Sequence, residues 1–359
     1  MKFAIRMKKE AMKRKLVTDI FSTGEINLIR NQFCTSDTQQ FPEKALFLMY
    51  DKSLFKLYIP RALHGQECTF REALECFIHT AYIDGDFGWA VQIGSGGGIF
   101  AGYVQKELAD AYFKDPKFVI AGSGHPTALA KTGENGYVVN GSWQYCSGCE
   151  YATLITANCK TEDGGVMAVA LLPEQIQIDK DWKGYGMSNT VSHTVTVNSK
   201  FVHRNHTFQV NQMVSDYDYK MFYMPFPIYA KANIFATVVG CFDHLLEETY
   251  QLTRSDKWTQ DKKVILTDIW QKASHVHDIH KQNFLNMADQ CWAELVSTGQ
   301  LSKTAGDELI HEINYSLTFM KKTAYTVFLN AGMAAINYSE PLNKTWRDIS
   351  TAFQHAVLR

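Results

Sequence analysis

Hydrophobic residues recur along this chain with two different periods, and the change of period divides it into three stretches. From Ala73 to Lys114 the apolar positions fall three and four residues apart, the spacing that lines one face of an α-helix. A glycine cluster, Gly94-Ser-Gly-Gly-Gly98, interrupts that run and predicts a junction between helices. Between Phe118 and Phe208 the pattern shortens to β-branched runs separated by turn residues: Gly136-Tyr-Val-Val-Asn140, Ala152-Thr-Leu-Ile-Thr-Ala157, Val166-Met-Ala-Val-Ala-Leu-Leu172 and Thr194-Val-Thr-Val-Asn198. Short strands at near-regular intervals predict an all-β unit closed as a small barrel. After Tyr229 the helical spacing returns, broken at Gly299 and again over 332–341, which predicts a helical bundle. The expected architecture is α+β, with an N-terminal helical domain over 1–117, a central β-barrel domain over 118–215 and a C-terminal helical bundle over 216–359.

Composition narrows the function classes. With 359 residues, 46% hydrophobic and 13% aromatic, the chain can bury large cores and has no low-complexity character. A formal net charge of −1 offers no clustered cationic surface for a phosphate backbone, so nucleic acid is not an expected partner. The basic run Lys8–Lys15 reads as a solvated helix face. No stretch approaches the ~20 apolar residues of a membrane span, and no signal-peptide succession is present, so no membrane association is expected and the location expected is cytoplasmic. The 8 cysteines are scattered like reduced thiols; Cys146-Ser-Gly-Cys149 lacks a second pair or adjoining histidines, and no metal is expected. In His275-Val-His277-Asp-Ile-His280, residues two apart on a helix point about 200° apart, which predicts packed or solvated histidines rather than ligands. Gly94–Gly98 follows a helix-like segment rather than a strand, so close helix packing is expected there instead of a phosphate cradle.

Four segments carry more specific information. They are Gly122-Ser-Gly-His-Pro126-Thr-Ala-Leu-Ala130; Gly136-Tyr-Val-Val-Asn-Gly-Ser-Trp143-Gln-Tyr-Cys-Ser147-Gly148; Gly186-Met-Ser-Asn-Thr-Val-Ser192-His193; and Pro341-Leu-Asn-Lys-Thr-Trp-Arg347-Asp348-Ile. In this order and at these spacings they resemble the acyl-CoA dehydrogenase superfamily, over roughly Leu57 to Arg359. The resemblance implies a flavin, FAD or FMN, held between the β-domain and the C-terminal bundle. An isoalloxazine has an apolar face and a polar edge, so it needs aromatic packing beside a few fixed polar groups. Trp143 and Tyr145 are candidates for the packing. Ser147, the turn amides near Gly148, and Ser192 are candidates for the polar contacts. The alternative for the hairpin is a Trp143 that belongs only to the core.

Dehydrogenation of an acyl-CoA requires a carboxylate to take the α-proton. The family's usual position, nine residues beyond the arginine of its Arg-Asp element, is Ala356 here, and the alternative position falls in Lys231–Thr237, which holds no carboxylate. One residue earlier stands His355. This resembles the two-component flavin-dependent monooxygenases of the superfamily, in which a histidine faces the flavin's reactive edge, a separate reductase supplies reduced flavin, and oxygen is inserted into a small aromatic or heteroatom substrate. His355 and Ser147 are therefore the catalytic candidates, a histidine being able to exchange protons near neutral pH. By the same resemblance Arg254 and Gly332 stand where the family contacts the cofactor's pyrophosphate, although the surrounding motifs differ. His125, Phe87, Trp89, Tyr223 and Phe226 are expected to line the substrate pocket, His193 is a weaker candidate, and Asp84 and Asp86 are expected to cap helices. A homo-oligomer, dimer or tetramer, is implied. Two other readings stay open: an acyl-CoA dehydrogenase-like oxidoreductase with a relocated base, and a catalytically degenerate member that only binds a ligand.

Overall fold

A computed structural model describes residues 20–34, 40–256 and 258–359, so the basic run Lys8–Lys15 lies outside the described residues. The first helices are α1 (Thr23–Cys34), α2 (Glu43–Asp51), α3 (Phe70–Ile83), α4 (Gly85–Gly96) and α5 (Lys106–Tyr112). A capping box starts α3: the Thr69 side chain accepts from the Glu72 amide while Glu72 accepts from Thr69 N at 2.8 Å. Its buried residues Phe70, Leu74, Phe77, Ile78 and Ala81 keep the spacing of three and four that the sequence displays. Asp84 ends α3 and caps α4, its Oδ1 accepting from Phe87 N at 3.2 Å, as a capping residue should. Asp86, also expected to cap, is instead buried against a lysine. Beyond α4 the glycine cluster lets the backbone approach the sheet: a Cβ on Gly97 would lie 2.5 Å from Ile120 Cβ.

The strands are β1 (Ile120–Gly133), β2 (Gly136–Cys146), β3 (Leu154–Thr161), β4 (Val166–Leu171), β5 (Gln177–Asp179), β6 (His193–His203) and β7 (Thr207–Phe208). They form one sheet in the order β5-β6-β2-β1-β3-β4-β7, in which β1 and β3 are parallel and the other neighbours antiparallel. The sheet curls around a core of its own that includes Val139, Trp143, Ile155, Val169 and Val195. The expected barrel does not close. Its edge strands β5 and β7 span three and two residues, too little ladder to join the two edges. A register shift between Ser123 and Ala128 interrupts the β1–β3 ladder, where Pro126 has no N–H to donate.

The chain returns to helix in α6 (Phe226–Arg254), α7 (Gln260–Thr298), α8 (Lys303–Asn330), α9 (Met333–Ile336) and α10 (Pro341–Ala352). Gly299 ends α7 in the left-handed region at φ 78°. His277 and His280 are buried and paired with carboxylates: His277 Nε2 lies 3.0 Å from Asp243 Oδ1, and His280 Nδ1 lies 2.8 Å from Glu312 Oε1. They are packed residues, as expected. No described helix is long and apolar enough to cross a membrane.

A knot of buried charge ties these parts together. Lys344 Nζ, on α10, lies 2.7 Å from Asp84 Oδ2, 3.0 Å from Asp86 Oδ2 and 2.6 Å from Asp348 Oδ2. The remaining oxygens of two of these acids hold the loop before β6: Asp86 Oδ1 accepts from Asn189 N at 2.8 Å and Asp348 Oδ1 from Met187 N at 2.7 Å. Gly186 makes that approach possible, since a Cβ there would fall 2.1 Å from the Arg347 carbonyl carbon. Replacing Lys344 by Met leaves buried carboxylates uncompensated and is expected to lower the unfolding free energy by about 3–5 kcal/mol in urea titrations at neutral pH. Carboxylates whose folded pKa is raised bind more protons in the native state than in the unfolded one. The deficit of Lys344→Met should therefore shrink as the pH falls toward the ordinary carboxylate range, and a deficit that does not change with pH would contradict this account.

Candidate active site

The loop pinned by Asp86 and Asp348 leads into a line of hydroxyls. Thr190 Oγ1 donates to Met187 O at 2.8 Å, so it accepts from Ser192 Oγ, 2.7 Å away. Ser192 in turn accepts from Ser147 Oγ at 2.6 Å, and Ser147 accepts from Trp89 Nε1 at 3.1 Å. Every proton in this buried relay then has a direction, from the α4 indole to a backbone carbonyl. Ser147 retains a free lone pair and is an acceptor toward anything placed beside it. On the other side of Trp89 lies His355, with ring centroids 5.5 Å apart and the rings edge to face.

His355 follows α10 and lines a cleft of about 240 Å³. The walls are the start of β1 (Ile120–Gly124), Thr156–Asn158 of β3, the end of α4 and the first turns of α6. The lining is largely apolar and, among the described residues, includes no Asp, Glu, Lys or Arg. Burial pulls the His355 pKa below the usual histidine value, so the imidazole is neutral at neutral pH. Its Nδ1 accepts from Val357 N at 3.3 Å, which assigns the proton to Nε2. A flat ring system fits this site: the space exceeds the ~150 Å³ that admits benzene in a protein interior, its walls are apolar, and His355 offers a donor, with Ser147 buried behind Trp89 outside the lining. Reduced flavin, with its N–H edge, is such a ring.

The other expected residues divide. Phe226 lines the cleft, stacked on Phe100 at 5.9 Å. Trp89, expected to line the pocket, is not among its lining residues; it is buried between Ser147 and His355. Trp143, by contrast, is fully buried in the sheet's own core, with Nε1 donating to Asn158 O at 2.8 Å, so the core alternative holds and it is not a packing surface for a ligand. A register shift between Trp143 and Cys146 puts Tyr145 at φ 63° and turns it outward, 69% exposed, against Trp182. Gly148 N–H is already committed to Thr190 O at 2.9 Å, so it is no free donor. Phe87 belongs to an aromatic core cluster with Phe21 and Phe33 rather than to the pocket, because its helix position faces inward. Tyr223 is surface-exposed, and His125 is exposed beside Gly124 at the cleft's rim, outside its lining. His193 is buried away from the cleft lining, its Nδ1 accepting from Trp182 N at 3.1 Å. Arg254 is exposed at the end of α6 on the Tyr250 ring. Gly332 has φ 53° and sits where a Cβ would be 3.8 Å from Lys262 Nζ, so both expected pyrophosphate contacts gather near the turn from α6 to α7 rather than at this chain's own cleft. Burial pushes the Cys146 and Cys149 thiols up to about 12, which leaves them inert. Sequence reasoning missed Thr190 and Lys344; only Lys344, four residues before Asp348 on one helix face, had a signal that could have been read.

No family model matches the chain. Among curated proteins it is 22% identical over 343 residues to the indole-3-acetate monooxygenase of Acinetobacter baumannii, covering 92% of this chain and 88% of that protein. It is 23% identical over 349 residues to the flavin-dependent monooxygenase oxygenase subunit HsaA of Mycobacterium tuberculosis, covering 90% and 86%. Among solved structures, the 3-HSA hydroxylase of a Rhodococcus species superposes with a TM-score of 0.85 at 20% identity, covering 93% of this chain and 90% of that one. The fold is therefore the acyl-CoA dehydrogenase-like fold of the flavin-dependent monooxygenases. More narrowly, the homologues of this chain are monooxygenases, HsaA being a flavin-dependent oxygenase subunit, and the likeness to that branch expected from the sequence is borne out.

Replacing Ser192 by Ala leaves the buried Ser147 proton without an acceptor. The expected loss is about 1–3 kcal/mol of unfolding free energy, read from chemical denaturation; wild-type stability would show that the hydroxyl relay is not formed.

Proposed function

We propose that this chain is the oxygenase component of a two-component flavin-dependent monooxygenase, which takes reduced FAD or FMN from a separate reductase and hydroxylates a small aromatic substrate. One observation carries the reading: His355 lines an apolar cleft whose described lining residues include no carboxylate, and its ring adjoins Trp89, which bonds the buried Ser147. A dehydrogenase of this fold would need a carboxylate base, and Ala356 stands exposed at the position where the resemblance expects one. When bound, reduced flavin would supply the two electrons that activate O2, one atom of which goes to the substrate and the other to water. The apolar walls exclude water and hold the ring and substrate in one orientation. Ala121 to Ser123 and Thr156 would form the sheet side of the ring's site, and Ser147 would accept from its N–H edge. His355 holds a proton at Nε2 and would keep it there while hydrogen-bonding to oxygen as negative charge develops in the cleft. Trp89 positions both groups.

Support for self-association comes from the bundle. Val264, Ile265 and Val296 on α7, and Tyr325 and Leu329 on α8, are all about half exposed or more, a large apolar area to leave in water. Arg254, Lys262 and Gly332 lie near one another at the end of that bundle and would meet the pyrophosphate of a cofactor bound to a neighbouring copy. The seven described cysteines are unpaired thiols, as suits a cytoplasmic protein.

Anaerobic titration should show saturable binding of reduced flavin. Admitting air with a reductase running should then add one oxygen to an aromatic substrate; absence of any flavin affinity would leave a ligand-binding protein, and CoA-thioester oxidation would favour the dehydrogenase. His355→Ala is expected to keep fold and flavin affinity while losing about 10²-fold or more of hydroxylation, on the order of a lost hydrogen-bond donor to developing negative charge. The acid limb of the wild-type pH profile should fall below the ordinary histidine value of about 6.5, because the neutral imidazole persists to lower pH, and it should vanish in that variant. Light scattering should find a dimer or tetramer, and a monomer at micromolar concentration would refute the assembly.

A further inference from the structure

The break in the ladder between β1 and β3 is larger than an ordinary bulge. Ser123 pairs with Ala157 and Ala128 with Cys159, so four residues, Gly124 to Thr127, stand opposite Asn158 alone. A common bulge sets two residues against one. Up to the break the strands are tightly joined: a Cβ on Gly122 would lie 1.8 Å from Thr156 O. Past it the chain swings clear of the sheet, and a Cβ on Gly124 would meet no atom within 4 Å. The excursion begins at the cleft, since Ser123, Gly124 and Asn158 all line it.

Side chains stand in for the missing ladder. Asn158 Nδ2 donates to Gly124 O at 2.8 Å, and on the other flank Thr127 Oγ1 donates to Ser142 O. Asn158 is itself fixed from the core side, where its main-chain carbonyl accepts from Trp143 Nε1 at 2.8 Å. The buried indole, β3 and the Asn158 amide thus connect the sheet's core to the cleft's rim. Four residues without partners on β3 keep much of their backbone freedom unless they are tied. The bond to Gly124 removes that freedom where the segment leaves the cleft, directly after Ala121 to Ser123.

We infer that Asn158 is a positioning residue for the ring bound in the cleft: by holding Gly124 it keeps the start of β1 in the conformation that forms the sheet side of the site. It acts through Gly124 and takes no part in proton or oxygen transfer. This rests on the flavin reading above and adds a determinant of affinity to it. An amide suits the place because it donates without charge. An aspartate of the same shape would turn a carboxylate oxygen toward the Gly124 carbonyl and repel it, whereas the protonated carboxyl is again a donor.

Anaerobic titration with reduced FMN and with reduced FAD, alongside thermal unfolding, tests the assignment without turnover. Asn158→Leu keeps the bulk and loses the donor, so it should weaken flavin binding by about tenfold while Tm falls by no more than about 3 °C. Asn158→Asp should bind no better than Asn158→Leu at about pH 8, then overtake it as the pH is lowered toward the ordinary carboxylate range near about 4, each affinity being taken as a ratio to wild type at the same pH. Trp143→Phe removes the core-side bond but leaves the tie to Gly124, and should lower Tm while keeping affinity within about twofold of wild type. Wild-type affinity in Asn158→Leu, a ratio that does not change with pH in Asn158→Asp, or an equal loss of affinity in Trp143→Phe overturns the assignment. If wild type binds neither reduced flavin, the flavin reading falls together with this inference; flavin binding that is indifferent to Asn158 removes the inference alone.

Discussion

The arrangement of the whole site depends on one ammonium group among three carboxylates. Lys344 sits at hydrogen-bonding distance from Asp84, Asp86 and Asp348, and those acids reach respectively the corner between α3 and α4, α4 itself, and α10. Two of them also grip backbone amides of the loop that carries Thr190 and Ser192. Trp89 stands on α4, Ser192 follows the pinned loop, and His355 follows α10. A change of register in any one of these elements would break contacts at the knot. Three acids facing one lysine leave excess negative charge in a desolvated place, and burial raises the carboxyl of Asp86 while the acids raise the ammonium of Lys344. Such a knot costs much of what its attraction returns, so its contribution lies in specifying one arrangement of the helices and loop rather than in net stability.

Around that anchor the site separates two kinds of work. The cleft's walls are apolar and carry no ionic side chain, which suits a reaction in which water and stray protons must be kept out. Polar groups stand at or behind these walls: an imidazole held neutral by burial lines the cleft, and a hydroxyl relay with its protons committed in one direction lies beyond Trp89. Trp89 spans the two, bonding Ser147 through its N–H and meeting His355 through its ring. A carboxylate in place of the imidazole would be expensive to ionise against such walls, whereas neutral histidine carries a proton at no electrostatic cost. This explains in physical terms why a site on this fold can lack the base of a dehydrogenase and remain chemically equipped.

The periods of the hydrophobic pattern determined the order of helices, strands and helices, because burying one face of an element imposes a spacing that is local to the chain. Ser147 and His355 could be picked out as candidates for a different reason: they stand at fixed offsets within recognisable segments. Directions of side chains were not legible. Trp143 and Tyr145 are two apart on one strand and would share a face in a regular ladder, yet the register shift after Trp143 sends one into the core and the other into solvent. Phe87 and Trp89 lie close on α4, but only packing against Phe21 and Phe33 decides that the first is core and the second reaches the site. The barrel stayed open because strand lengths at the edges, not strand propensity, control closure. Asn158, Thr190 and Lys344 acquire their significance from partners that lie as far as 258 positions away in the chain, as Lys344 does from Asp86. Local sequence sets which elements form; burial, charge pairing and hydrogen bonding between elements are properties of the assembled interior, and only the tertiary structure decides them.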